Sequence, residues 1–333
     1  MTPTDSRKPD SVRRTVSTVF NELTAAAERL SGHVRMTPVR HSRFLSEAID
    51  GEVYLKLEHL QVTGSFKVRG ALNKLIPLKG SRRHIVAAST GNHALAVAHA
   101  CTTLGLDCTL FLPESANRHK VAVLRGYPVE LCFVGGDAVN AEHEARRMAE
   151  EQQQVFVSPY NDVAVIGGQG TVGTEILEQA PYADCVLVAV GGGGLVSGIG
   201  VTLKEHCRKT RIVGCSPAAS CVMYESVLAN RVVSKPSKPT LSDGTAGGLE
   251  DSTVTLELCR EIVDDWLLIS EREIAIAMRR LYDHHALTVE GAAAVAVAGL
   301  LKHTRHFANC RAAIVLCGGN VDPDTFSSIL AST

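Results

Sequence analysis

Lys67 stands in Gly64-Ser65-Phe66-Lys67, just after Lys56-Leu57-Glu58-His59 and at the predicted start of a helix. A cation at that position meets the positive end of the helix dipole. An ammonium group disfavoured by the dipole and by burial has a lowered pKa and yields an amine able to form an imine. Taken alone, the tetrapeptide fits a solvated surface lysine better. A second group of residues suits an anion. Gly191-Gly192-Gly193-Gly194-Leu195 follows the most apolar run of the chain and precedes a helix predicted to start near Ser197. Residues without Cβ let several backbone N–H groups approach one phosphate, and the helix N-terminus adds its dipole. A tight β-α turn is the plainer reading, although four glycines exceed what a turn needs. Ser89-Thr90-Gly91-Asn92-His93 offers a nest of hydroxyls and N–H groups sized for a carboxylate, and Cys317-Gly318-Gly319-Asn320 is a fourth site of this kind.

Each group follows a short apolar, β-branched run, and these runs alternate with segments of helical period, the pattern of a mostly parallel sheet wrapped by helices. Strands are predicted at Val53–Leu57, His84–Ala88, Cys108–Leu112, Val129–Val134, Val155–Ser158, Cys185–Val190, Ile212–Cys215, Trp266–Ile269 and Ala312–Leu316. The clearest helices are Val12–Leu30, Ser65–Ile76, Asn92–Leu104, Val139–Glu151, Thr174–Gln179, Glu271–His284 and Gly291–Lys302. In an open α/β sheet the carboxyl ends of strands border the ligand crevice, so the four groups are predicted to face one cavity. Arg231–Gly248, rich in Ser, Pro and Gly, is expected to be a long ordered loop ending near Ser242-Asp243-Gly244.

Composition narrows the partner. The 333 residues are 45% apolar, and 34 Lys plus Arg against 35 Asp plus Glu leave a net charge of -1. No basic field suits nucleic acid or an anionic membrane, and no segment suits a transmembrane span, so a small molecule is the expected ligand. The polar start, with residues 1–12 as a loose tail, has no signal-peptide core, and a cytoplasmic location is expected. The ten cysteines form no C-x-x-C pair and sit mostly in apolar runs, so buried thiols are predicted and no metal site. Gly168-Gln169-Gly170-Thr171-Val172-Gly173 fits the dinucleotide fingerprint and is expected to open a helix, but Asn161–Ile166 before it makes a poor buried strand. No acid follows the next strand to hold a ribose, so NAD is set aside.

Five motifs in order then carry a resemblance: Ser65-Phe66-Lys67-Val68-Arg69-Gly70-Ala71, Ser89-Thr90-Gly91-Asn92-His93, Gly168-Gln169-Gly170-Thr171, Gly191–Gly194 and Cys317-Gly318-Gly319-Asn320. Together they resemble the pyridoxal-phosphate-dependent serine/threonine dehydratase and serine racemase family over nearly all the chain after Val12. The resemblance implies an α/β fold of type II, with two open twisted, mostly parallel sheets flanked by helices and a small domain (84–158) inserted between the parts of a larger one (1–83 and 159–333). It implies that Lys67 holds the cofactor as an imine and takes the α-proton of the substrate, with Phe66 near the pyridine ring and Asn92 on the 3′-oxygen. Gly191, Gly192, Gly193, Gly194 and Leu195 would bind the phosphate, and Ser89, Thr90, Asn92 and His93 would frame the substrate carboxylate. Cys317 falls opposite the pyridine nitrogen. Tyr160 is expected either to line the pocket or to join the core, and Glu290 is either a helix-terminal charge or a residue beside the cofactor.

Thr90 stands where the family's racemases have a serine that protonates from the other face, and its β-methyl group crowds that approach. Ser216 and Val222 replace two carboxylates of the family's divalent-cation site. No regulatory domain follows the last motif before Thr333, so isoleucine feedback through one is not expected. The implied activity is β-elimination from an L-threonine or L-serine type substrate to a 2-oxo acid and ammonia, in a homodimer. Met223-Tyr224-Glu225-Ser226 and Val289–Ala292 resemble dehydratases of hydroxyectoine breakdown, which keeps larger or phenylserine-type β-hydroxy amino acids open as substrates. The resemblance also leaves room for a serine racemase, and an inactive cofactor-binding protein is a rival from a different class.

Overall fold

The computed structural model describes residues 10–116, 118–136, 138–235 and 237–333. Its strands are β1 (Val39–His41), β2 (Glu52–Lys56), β3 (Ile85–Ala88), β4 (Cys108–Pro113), β5 (Glu130–Val134), β6 (Val155–Phe156), β7 (Cys185–Ala189), β8 (Arg211–Pro217), β9 (Asp265–Ile269) and β10 (Arg311–Val315). They form two sheets. One runs β1-β2-β10-β7-β8-β9, parallel except for the edge strand β1, and the other runs β5-β4-β3-β6, parallel throughout. The fold is therefore the two-sheet α/β arrangement expected.

The helices are α1 (Asp10–Leu30), α2 (Arg43–Ile49), α3 (Lys67–Leu75), α4 (Asn92–Leu104), α5 (Arg118–Leu124), α6 (Ala138–Glu151) and α7 (Val163–Gln179). They continue as α8 (Gly194–His206), α9 (Val222–Ala229), α10 (Val254–Ile262), α11 (Glu271–His285), α12 (Gly291–Lys302) and α13 (Pro323–Ser332). The tail expected at 1–12 lies outside the described residues as far as residue 9, and residues 10–12 instead begin α1. None of the described helices is long and apolar enough to cross a membrane.

The central strand β7 is apolar at every position because helices cover both faces, and all five of its residues are buried. The small-residue helix α12 is buried from Gly291 to Leu300 and packs against that sheet. Its neighbour α11 begins with a capping box, Ser270 with Glu273.

One expectation is corrected by this packing. Gly168–Gly173 does not open a helix after a strand; it lies inside α7, whose N-cap is Asp162, accepting from the N–H groups of Ala164 and Val165. The glycines there serve contact between helices. A Cβ at Gly168 would lie 2.6 Å from the Arg69 carbonyl oxygen, and one at Gly198 of α8 would lie 2.5 Å from the Gly170 nitrogen. Helix axes this close admit no side chain between them, so a phosphate-binding pattern reappears as a packing pattern.

Between α3, α7 and β2 lies a buried charge cluster. Arg69 donates to Glu58 at 2.8 Å and to Glu175 at 2.6 Å, while Lys56 pairs with Glu175 and donates to the Thr37 carbonyl at 2.6 Å. Lys56, Glu58 and Arg69 are fully buried. Two cations and two anions balance, and hydrogen bonds occupy their remaining positions, which is the condition for keeping charges out of water. Arg69 follows Lys67 by two residues, so the cluster holds the start of α3.

Candidate active site

Lys67 is the first residue of α3, and the turn before it is stitched to the segment after β10. The Phe66 N–H donates to the Cys317 carbonyl at 3.1 Å, the Gly319 N–H donates to the Gly64 carbonyl at 2.9 Å, and Ser65 bridges Gly318. These bonds bring the amine to the carboxyl end of β10. Its Nζ donates to the Pro159 carbonyl at 2.8 Å and lies 5.2 Å from the centre of the Phe66 ring. Burial lowers its pKa to about 8, against the opposing pull of Cys317 and Glu290. The surface-lysine reading is thereby removed.

A cavity of about 530 Å³ opens here, and its wall contains every residue to which the resemblance gives a place at the cofactor or substrate: Phe66, Lys67, Ser89–His93, Tyr160, Gly191–Leu195, Glu290 and Cys317. Two helices begin on it. α4 starts at Asn92 after Gly91, and α8 starts at Gly194 after Gly193, whose φ of 85° favours glycine. The second start lies three residues earlier than the sequence predicts. Among the described residues, no acceptor in the chain meets the backbone N–H groups of Gly192, Gly193, Gly194 and Leu195. Such a row of open donors at a dipole's positive end fits an anion. Behind the row the chain is close-packed: a Cβ at Gly191 would lie 2.8 Å from Thr245 Cα, and one at Gly192 would collide with the Tyr160 ring.

Asn92 ties the remaining polar groups together. Its Nδ2 donates to both oxygens of Glu290, at 2.8 and 2.9 Å, and its Oδ1 accepts from Asn320 at 2.7 Å. Glu290 is the N-cap of α12 but makes no side-chain cap bond, so of the two readings open for it the carboxylate takes the one facing the cavity. Burial raises its pKa to about 7 despite the Asn92 bonds. Burial, and next the charge of Glu290, push the Cys317 thiol well up, so it stays neutral. His93 donates through Nε2 to the Val157 carbonyl at 2.8 Å, and burial together with Lys67 lowers its pKa to about 3, which keeps the ring uncharged. The Ser89 hydroxyl accepts from the Gly91 N–H at 3.1 Å, and Tyr160 accepts from the Glu250 N–H at 2.8 Å through its hydroxyl while its ring faces Gly192.

Two contributors escaped sequence reasoning: the Pro159 carbonyl and the Asp243–Thr245 turn packed on Gly191. Only the turn had a signal, Ser242-Asp243-Gly244. An amine able to be neutral, a cradle of open N–H donors and a neutral thiol in one cavity fit an aldehyde-bearing phosphate ester.

A family model described as pyridoxal-phosphate dependent enzyme matches residues 30–318. The chain belongs to the pyridoxal-phosphate-dependent enzymes. This pyridoxal-phosphate-dependent enzyme is 38% identical over 313 residues to an L-threonine ammonia-lyase of Geobacter sulfurreducens, covering 93% of this chain and 78% of that protein. It is 36% identical to the catabolic L-threonine dehydratase of Escherichia coli, covering 93% and 95%. Among solved structures, maize serine racemase superposes with a TM-score of 0.86 at 30% identity, covering 93% and 96%. Pyridoxal phosphate is the cofactor of this enzyme.

Proposed function

We propose that this enzyme is a dehydratase, an ammonia-lyase that removes water from a β-hydroxy amino acid of the L-threonine or L-serine type and releases a 2-oxo acid and ammonia. The observation that carries the reading is the convergence, in one cavity, of a lysine amine with pKa about 8 and two helix N-termini. The similarity to an ammonia-lyase and a dehydratase over 93% of the chain supports it.

When bound, pyridoxal phosphate supplies an electron sink that acidifies the α-proton of an amino acid. The chain's own groups do the rest. Lys67 holds the cofactor and, once displaced, takes the α-proton, a role suited to an amine that is partly neutral at pH 7 to 8. The N–H groups of Gly191, Gly192, Gly193, Gly194 and Leu195 would hold the phosphate, Phe66 would pack on the ring, and Asn92, its amide oriented by Glu290 and Asn320, would bond the ring oxygen. Ser89, Thr90 and the N–H groups of Asn92 and His93 receive the carboxylate; His93 acts as a neutral donor-bearing wall rather than as a cation. Tyr160 backs the phosphate cradle. Cys317 would face the cofactor as a neutral thiol, a weak acid with little tendency to give up a proton.

Residues 84–158 are read as an inserted domain, supported by four strands that pair only with one another. The working form is read as a homodimer on the family resemblance alone, and sedimentation of the holoenzyme tests it. The activity is tested with a panel of β-hydroxy amino acids scored for ammonia and 2-oxo acid, with chiral chromatography of the remaining substrate. L-Threonine or L-serine should yield oxo acid faster than D-enantiomer. D-product forming faster would establish a racemase instead.

A further inference from the structure

The cavity is walled by both sheets' loops, and of the ion pairs that join the two sides among the described residues one is made by residues that both line it. Lys120, on α5 beside the four-stranded sheet, donates to Asp243 at 2.5 Å, and Asp243 belongs to the turn that packs against the six-stranded sheet's glycine loop. Both residues line the cavity. Their level within it is set by Gly244, where a Cβ would lie 3.6 Å from Glu290 Oε1 and 3.4 Å from Ala292 Cβ. The pair therefore sits near the Glu290–Asn92 contact.

The other charges of the wall are committed. Glu142 pairs with Arg146 at 2.9 Å, Asp322 accepts from the N–H groups of Asp324 and Thr325, and Glu290 accepts from Asn92. No arginine lines the described cavity. His93 is uncharged and Lys67 is taken by the cofactor, so among the described lining residues Lys120 is the cation that a second carboxylate on a substrate would meet, and Asp243 is paired with it. An incoming carboxylate would have to displace Asp243 and would then lie beside it, like charge against like charge.

We propose that Asp243 is a specificity-determining residue: by neutralising Lys120 it restricts the site to β-hydroxy amino acids with uncharged side chains and excludes those carrying a second carboxylate. The proposal rests on the dehydratase reading. It assigns to the turn a role that neither the cofactor nor the α-proton chemistry requires.

The test uses the holoenzyme, Asp243→Asn, and Asp243→Asn combined with Lys120→Met. Asp243 has a side chain 57% exposed and Asn is isosteric, so folding is not at stake. Two readouts are taken: the ratio of kcat/KM for β-hydroxyaspartate to that for L-threonine, and the affinity for α-methyl-L-aspartate, which has no α-proton to lose, followed by cofactor absorbance. Wild type should favour threonine at least tenfold. Asp243→Asn should move the ratio at least tenfold toward β-hydroxyaspartate and tighten α-methyl-L-aspartate at least tenfold, and Lys120→Met should cancel both gains. A change below tenfold in either readout, or gains that survive Lys120→Met, overturns the proposal. If no β-hydroxy amino acid is dehydrated, the dehydratase reading fails, and the binding readout alone decides the role of Asp243.

Discussion

Removing the charge of Lys67 should stabilise the chain when the cofactor is stripped away. The ordinary lysine value of 10.5 falls to about 8 on folding because burial disfavours the ammonium form. Between those two values the unfolded chain holds more protons than the folded one, so stability rises with pH across that window and the penalty is complete below about pH 8. The fall corresponds to about 3 kcal/mol at pH 7, decreasing to about 1.5 kcal/mol at pH 9.5. Lys67→Met replaces the amine with a neutral side chain of similar length. In urea unfolding of the apo chains, the variant's advantage over wild type should be larger at pH 7 than at pH 9.5 by about 2 kcal/mol. The difference between the two pH values cancels any constant packing term. An advantage that does not change with pH would refute the claim that a buried, titrating ammonium is what Lys67 costs the fold. The same variant should form no borohydride-reducible chromophore with pyridoxal phosphate.

Gly192→Ala drives a methyl group into the Tyr160 ring and displaces the cradle, so cofactor affinity measured by absorbance titration should fall at least tenfold. Arg69→Leu leaves Glu58 and Glu175 buried without their main partner and should cost about 3–5 kcal/mol in denaturant unfolding. Glu290→Gln should abolish the limb of the kcat/KM profile that the wild type shows near pH 7, where the carboxyl titrates. Exhaustive chelation should leave activity within twofold, because Ser216 and Val222 occupy the places of two cation ligands; recovery on adding magnesium would reveal ligands elsewhere.

The site was legible in the sequence where its chemistry depends on local backbone. Ser89–His93, Gly191–Leu195 and Cys317 each follow a strand closely, and a strand's carboxyl end is a position that periodicity can locate; Lys67 was marked instead by its place at the start of α3. The same locality explains the missed elements. β1 is three residues long, and α2, α5 and α9 have seven, seven and eight residues, too few turns for a 3.6-residue period to emerge; α10 and α13, of nine and ten, are little longer.

Sequence alone pointed to a mostly parallel α/β class, to a lysine at a helix start and to a glycine-rich anion cradle, since apolar runs, glycines and a lysine at a helix start act over a few residues; the division into two sheets came only with the family resemblance. Tertiary structure decided everything that requires distant segments to meet. It turned Gly168–Gly173 from a supposed helix-opening loop into a helix contact, because only the approach of α3 and α8 explains why Cβ atoms are excluded there. It chose the cavity-facing role of Glu290 by setting it against Asn92, 198 residues away in the chain. It paired Lys120 with Asp243 across 123 residues and surrounded Lys67 with enough protein to lower its pKa to about 8. Burial and charge pairing are properties of what surrounds a residue in space, and spacing along the chain does not encode them.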